Sequence, residues 1–155
     1  MVETGSGTNG FISNKTAAGG NRALVRMYAK EGRQSAYLAT FEREVSPQEV
    51  IGPVVIESMA VRYGSAAGAA GGFHAAKTQL AESGWTEVST GDLGAESFGF
   101  TETKALDDTE YQSFVVDWRQ ANVVNEIRIA GNAATMDLTY ALTLARVQQR
   151  AEATR

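Results

Sequence analysis

Apolar and polar positions alternate over 112–119 and again over 122–130, the two-residue period of half-buried strands. A two-residue turn at Gln120-Ala121 or at Ala121-Asn122 joins them, and the two registers differ by two residues. Either one therefore places Phe114, Val116, Trp118, Val123, Ile127 and Ile129 on one face. A one-residue slip would turn that set to water, so the pattern pins the pairing. Ser113, Asp117, Arg119, Asn122, Glu126 and Arg128 fall on the other face, which reads as solvent-facing. Gly131-Asn132 ends the second strand, and a closing helix follows. Thr135 is placed to cap it, with Asp137 in its first turn and Arg146 and Arg150 in its last, as the macrodipole favours. Leu138, Ala141, Leu142 and Ala145 form its apolar stripe.

Upstream, 21–31 has helical spacing, with Leu24, Met27 and Tyr28 on one side and Gly32 to end it. Residues 35–45 read as a strand with Tyr37, Ala39, Phe41 and Val45 on one face. Ser46-Pro47 marks a loop and Gly52-Pro53 a second break. Residues 54–63 form another strand. Ser65 caps a helix that runs to about Glu82 and is closed by Gly84. That helix opens with Ala66 to Gly72, all alanine or glycine. Each interior glycine costs roughly 1 kcal/mol against alanine, so a close backbone approach is expected there. Short strands at 86–89 and 97–103 flank Gly91-Asp92-Leu93-Gly94, and Asp107-Asp108-Thr109-Glu110 leads into the hairpin. The order predicts an α+β domain: an antiparallel sheet of about five to six strands, helices packed mainly on one face, and a C-terminal β-hairpin followed by a closing helix.

With 155 residues, 43% of them hydrophobic, one domain over 15–155 is expected, after a flexible Gly/Ser/Thr-rich lead-in over 1–14 in which Gly5-Ser6-Gly7 has linker composition. A chain of this size buries roughly 70% of its unfolded surface and needs no covalent staple. There are no cysteines, which excludes disulfides, thiolate metal sites and a cysteine nucleophile. The net charge of −4 and the scatter of the 14 basic residues argue against nucleic acid as a partner. No apolar run approaches the roughly 20 residues of a membrane span. The polar lead-in is of the kind that follows a removed signal or lipid-anchor region, with an ordinary cytoplasmic amino terminus as the alternative.

Gly32-Arg33 with Tyr37, Tyr63-Gly64-Ser65-Ala66-Ala67-Gly68-Ala69 and Asp92-Leu93-Gly94-Ala95-Glu96-Ser97 recur as a set. With them go Trp118-Arg119-Gln120-Ala121-Asn122-Val123-Val124 and Leu144-Ala145-Arg146. Together these segments resemble a group of small, uncharacterised bacterial extracytoplasmic domains, lipoprotein-like and common in actinobacteria and similar lineages. The likeness spans about 23–150. Where the group typically has glycine before the hairpin asparagine, this chain has Ala121, which tolerates left-handed geometry poorly. The resemblance implies a fold and an exported or membrane-anchored location, and no activity, because its motifs are turns and caps.

Candidate chemistry is sparse. His74 is the only histidine and sits beside Phe73, so it reads as a core-edge residue, and no serine elbow accompanies it. Glu57 shares a strand face with Val55, Met59, Val61 and Tyr63. Its pKa rises if that face is the core, and it is solvated if Val54, Ile56 and Ala60 are buried instead. Asp107, Asp108 and Glu110 lack the ordered spacing of a calcium loop and read as a solvated turn. Gly68 to Gly72 lacks the lysine of a phosphate loop. No catalytic residue, metal ligand or cofactor is assigned. The favoured reading is a non-catalytic extracytoplasmic module binding a small ligand, an envelope component or a protein partner. Its pocket lies between sheet and small-residue helix and draws on Tyr37, Glu57, Tyr63 and His74. The alternatives are an acid/base enzyme using Glu57 or Asp107 and Asp108, and a self-assembling structural protein.

Overall fold

The computed structural model describes residues 2–3, 9–43 and 51–153. The predicted end of a strand at Val45, the Ser46-Pro47 loop and the Gly5-Ser6-Gly7 linker lie outside them. The elements, in order, are β1 (Val2–Glu3), β2 (Gly10–Ile12), α1 (Asn14–Ala17), α2 (Arg22–Lys30), β3 (Arg33–Glu42) and β4 (Val55–Tyr63). Then come α3 (Ala66–Glu82), β5 (Thr86–Val88), β6 (Glu96–Leu106), β7 (Thr109–Gln120), β8 (Val123–Asn132) and α4 (Leu138–Ala153). Seven strands stand in the order β1-β3-β4-β8-β7-β6-β5, and β2 pairs with β3 off this line. All pairings are antiparallel. The α+β class and the hairpin with its closing helix are as the pattern predicts, but the sheet is wider than five to six strands. Part of the surplus comes from residues 1–14, where Val2–Glu3 and Gly10–Ile12 lie end to end along β3.

The hairpin turn is Ala121-Asn122, since Gln120 pairs with Val123. Ala121 takes a φ of 50°, the strained left-handed region. Asn122 anchors the turn: its Nδ2 donates to the Tyr63 carbonyl at 2.7 Å and its own carbonyl accepts from the Tyr63 N–H at 2.8 Å. Phe114, Val116 and Trp118 stand opposite Ile129, Ile127 and Asn125. Together with Leu93, Met136, Ala141 and Ala145 of the loops and α4 they make one buried core. The cap of α4 is Asp137 rather than Thr135, because Asp137 Oδ1 accepts from the Thr139 N–H at 2.8 Å. Those bonds from Thr139 hold the Asp137 carboxyl below the usual carboxylate range. Farther along, Ser58 donates to Gln148, Gln148 to Asn125, and Asn125 to Glu152, pinning the last turns of α4 to the sheet.

The opposite face is not open to water. Val115, Asp117 and Val124 are buried there, with Val61, Tyr63, Phe98 and Phe100, beneath Ala69 and Phe73 of α3. Helices therefore lie on both faces of the sheet: α1, α2 and α3 on one, in keeping with the expected majority, and α4 on the other. The alternation of Asp117, Arg119, Glu126 and Arg128 imitates a solvated face, yet Asp117 is buried and Arg119 and Glu126 are largely covered, while the Arg128 side chain stays 41% exposed. Phe73 meets Phe98 with ring centroids 4.7 Å apart, and Phe98 meets Phe100 at 5.7 Å.

Two of the glycines in α3 explain how it lies so close. A Cβ at Gly68 would strike the Glu31 carbonyl at the end of α2, and one at Gly72 would strike the Tyr63 ring. Gly71 faces open space. Ser65 caps the helix, its Oγ accepting from the Gly68 N–H at 3.0 Å.

Gly68→Ala and Gly72→Ala are each expected to lower unfolding free energy by about 2–3 kcal/mol, since backbone or ring must move. Gly71→Ala should raise it by up to about 1 kcal/mol. Urea denaturation of the three variants checks this, and equal effects would refute the seating. Ala121→Gly relieves the left-handed residue and should add about 0.5–1 kcal/mol in the same assay.

Candidate functional site

Between α2, α3 and the sheet lies a cavity of about 380 Å³. Leu24, Met27, Tyr28 and Glu31 of α2 form one wall, and Gly72, Ala75, Ala76 and Gln79 of α3 the other. The floor is sheet: Arg33 of β3, Met59, Val61 and Tyr63 of β4, Asp117 of β7, Val124 and Glu126 of β8. Ile12 and Ala17 close one end. The seating of Gly72 against Tyr63 sets where α3 can lie, and so sets the gap between the helices.

The local sequence explains α2. Asn21 caps it, its Oδ1 accepting from the Ala23 and Leu24 N–H groups at 2.9 and 3.3 Å. The helix is sharply amphipathic, yet it buries none of its residues. Its apolar side chains Leu24 and Met27 face the cavity and stay 36% and 39% exposed. Ordinarily such a face packs on the core. Here it borders space.

At the α2 end the floor carries Arg33, which is buried and stays charged. Its Nη1 donates to Asn14 Oδ1 at 2.6 Å, and its guanidinium lies 4.8 Å from the centre of the Tyr28 ring. Burial works to lower its pKa. Tyr63 sits alongside. Burial pushes its hydroxyl pKa up, the Glu31 charge adds to this, and Arg33 opposes it.

Deeper in the floor, Asp117 stands directly opposite Glu126, which in turn stands opposite Met59. Two carboxyl groups are thus neighbours in a row that otherwise reads Phe98, Met59 and Leu38. Asp117 is 2% exposed and its Oδ1 has no hydrogen-bond partner. Burial raises its pKa well above the ordinary carboxylate range; the Glu126 charge adds to the rise and Arg128 opposes it. Glu126 is raised for the same leading reason, with Arg128, 3.6 Å away, opposing and Glu57 adding. A buried acceptor without a donor is costly, and such groups concentrate where a ligand or a proton is handled.

Of the four residues expected at the pocket, Tyr63 lines it. Glu57 stands one row away, opposite Arg128, close enough for its charge to act on Glu126. It lies on the Val61–Tyr63 face of β4, and both faces of that strand are partly covered. Tyr37 lies on the other face of the sheet, 45% exposed and edge-on to Phe11 with ring centroids 5.4 Å apart. His74 is also outside the cavity: its side chain is 64% exposed and its Nε2 lies 3.6 Å from Glu96 Oε2. Glu96 itself is held low by a 2.7 Å bond from Arg119. Asp107 and Asp108 form the exposed two-residue turn between β6 and β7, remote from any sheet–helix pocket. Among the described residues no group of three or more acidic, histidine or cysteine side chains is arranged to hold a metal, and no helix is long and apolar enough to cross a membrane.

Arg33, Asp117 and Glu126 escaped the sequence reading. The signal available for them was Val115 and Val124, apolar residues on the same strand face as the charges. Comparison of the chain with family models, with curated proteins and with solved structures finds no match.

The raised Asp117 pKa has a definite consequence for stability. The folded state holds this proton more tightly than the unfolded chain. Stability from this group is therefore full below about pH 4, the ordinary carboxylate range, and falls as pH rises through the raised folded value. Asp117→Asn removes the term. At pH 8 the variant should be more stable than the parent by ~1–2 kcal/mol, or about 2–8 °C in Tm. Near pH 3.5 that gain should vanish. Thermal melts at the two pH values check it, and a gain of the same size at both would refute the assignment.

Proposed function

We propose that this domain is a non-catalytic extracytoplasmic binding module that takes a small ligand with an apolar body in the cavity between α2 and α3. One observation carries the reading: the apolar face of α2, with Leu24 and Met27, is turned toward about 380 Å³ of space instead of toward side chains. Cavities of this size, mostly apolar with a few converging polar groups, are the usual form of small-molecule sites. Ile12, Met59, Val61 and Val124 complete an apolar lining, and burying that surface against a ligand stabilises a complex at about 25 cal/mol per Å² before association costs. The extracytoplasmic setting draws on the sequence resemblance alone.

The acid/base alternative has one feature in its favour, the Asp117–Glu126 pair, which replaces Glu57 and Asp107 and Asp108 as its natural residues. Paired carboxyls with raised pKa values do serve as general acids. That reading requires a reacting partner beside them, and the surrounding floor is Phe98, Met59 and Val124. Binding accounts for the lining with fewer demands.

The neutral fluorophore N-phenyl-1-naphthylamine tests the proposal. It should bind saturably, one per chain, with a blue-shifted, enhanced emission. Ala75→Trp, placed at an exposed position of the α3 wall, should leave the circular dichroism spectrum unchanged and weaken binding at least about tenfold, the loss of roughly 1.4 kcal/mol. Absence of saturable binding, or binding indifferent to the plug, overturns the proposal.

A further inference from the structure

The geometry points to a ligand of one chemical class: an organic cation, a protonated amine on an apolar body, whose ammonium group lies against Asp117 and Glu126. The inference rests on the cavity reading and adds the headgroup to it. Three observations carry it. The cavity lining holds three carboxyl groups, Glu31, Asp117 and Glu126, against one guanidinium, Arg33. The guanidinium is already served by Asn14 and the Tyr28 ring, so it makes little demand for an anion. Asp117 Oδ1, by contrast, is buried without a partner.

An ammonium group supplies what that oxygen lacks. It brings three donors and a full positive charge, and hydrogen bonds between charged groups are about twice as strong as neutral ones. Where both carboxyls are ionised, the cation also relieves the repulsion between them across adjacent strands, which Arg128, 3.6 Å from Glu126, offsets only in part. A hydroxyl or an amide would donate one or two bonds but bring no charge, and so leave the repulsion in place. A carboxylate would add to it. The apolar remainder of the ligand would lie along Leu24, Met27 and Val61.

Binding of this kind is linked to protons. The charged groups that act on Asp117 are Glu126 and Arg128 from the sheet, with Tyr63 alongside; Glu57 acts on Glu126, and Arg33 of β3 and Glu31 at the end of α2 share the cavity lining. The described part of α3 offers the cavity Gln79 and no ionisable side chain. Burial favours a retained proton on the carboxyl pair in the free domain, and an arriving ammonium displaces it. Affinity for an amine should therefore rise with pH until the pair is fully ionised, while the amine, with a pKa near that of lysine at about 10.4, stays charged.

Octylamine, 1-octanol and octanoate share one chain and differ in headgroup, so displacement of N-phenyl-1-naphthylamine by the three isolates the headgroup. Octylamine is expected to compete at least about tenfold better than either relative at pH 8, with its advantage shrinking toward pH 5. Asp117→Asn should erase that advantage and leave octanol unchanged; Glu126→Gln should reduce it. Both substitutions are near-isosteric and remove buried charge, so folding is not expected to fail. If octanol competes as well as octylamine, the cation inference falls and the cavity reading stands. If octanoate competes best, Arg33 sets the preference and the inference falls. Should the fluorophore itself not bind, both readings fall together.

Discussion

In the β7–β8 pair, Trp118 stands opposite Asn125, Val116 opposite Ile127 and Phe114 opposite Ile129, and α4 closes over this set. Because successive side chains alternate across a strand, that register also decides what the other face presents. Asp117 must then oppose Glu126, and Val115 must oppose Arg128. The carboxyl pair is thus not placed by any attraction of its own. It is held in position by the packing of aromatic and branched residues on the far side of the same backbone, and Asn122 locks the turn end by its two bonds to Tyr63. Ser58, Gln148, Asn125 and Glu152 fix the helix that seals the core face.

Against this, the cavity face is arranged for something other than stability. A buried carboxyl with a bare oxygen beside a half-buried one costs free energy that nearby aliphatic packing must offset. A helix whose apolar face borders space forgoes the burial that usually holds a helix to its sheet. The two unfavourable features are the wall and the floor of one cavity. Under the binding proposal, both have one physical remedy, an occupant with an apolar body and a charged end. Binding sites commonly sacrifice stability in this way.

The core face was legible in the sequence because its residues alternate without interruption from Phe114 to Trp118 and from Ile127 to Ile129. So were the limits of α3, announced by Ser65 and Gly84, and the need for a close approach at its glycines, which Gly68 and Gly72 make and Gly71 does not. The cavity face was not legible. Period-2 alternation assumes that polar positions mark water, and here Asp117, Arg119, Glu126 and Arg128 occupy a face roofed by α3. Nor did the pattern reveal β2 and α1, three and four residues long. Their positions come from pairing with β3 and from the bond between Asn14 and Arg33, contacts 19 or more residues apart. Such elements owe their form to tertiary partners and have no periodicity of their own.

The double covering of β7 and β8 also separates two inheritances within ten residues of chain. Positions 114, 116 and 118 answer to α4, and positions 115, 117 and 119 to α3 and the cavity. Each parity packs against a different helix, so under the binding proposal a change at Asp117 alters the cavity without touching a side chain of the core beneath α4. On that proposal, recognition and the core beneath α4 draw on alternate residues of the same strand.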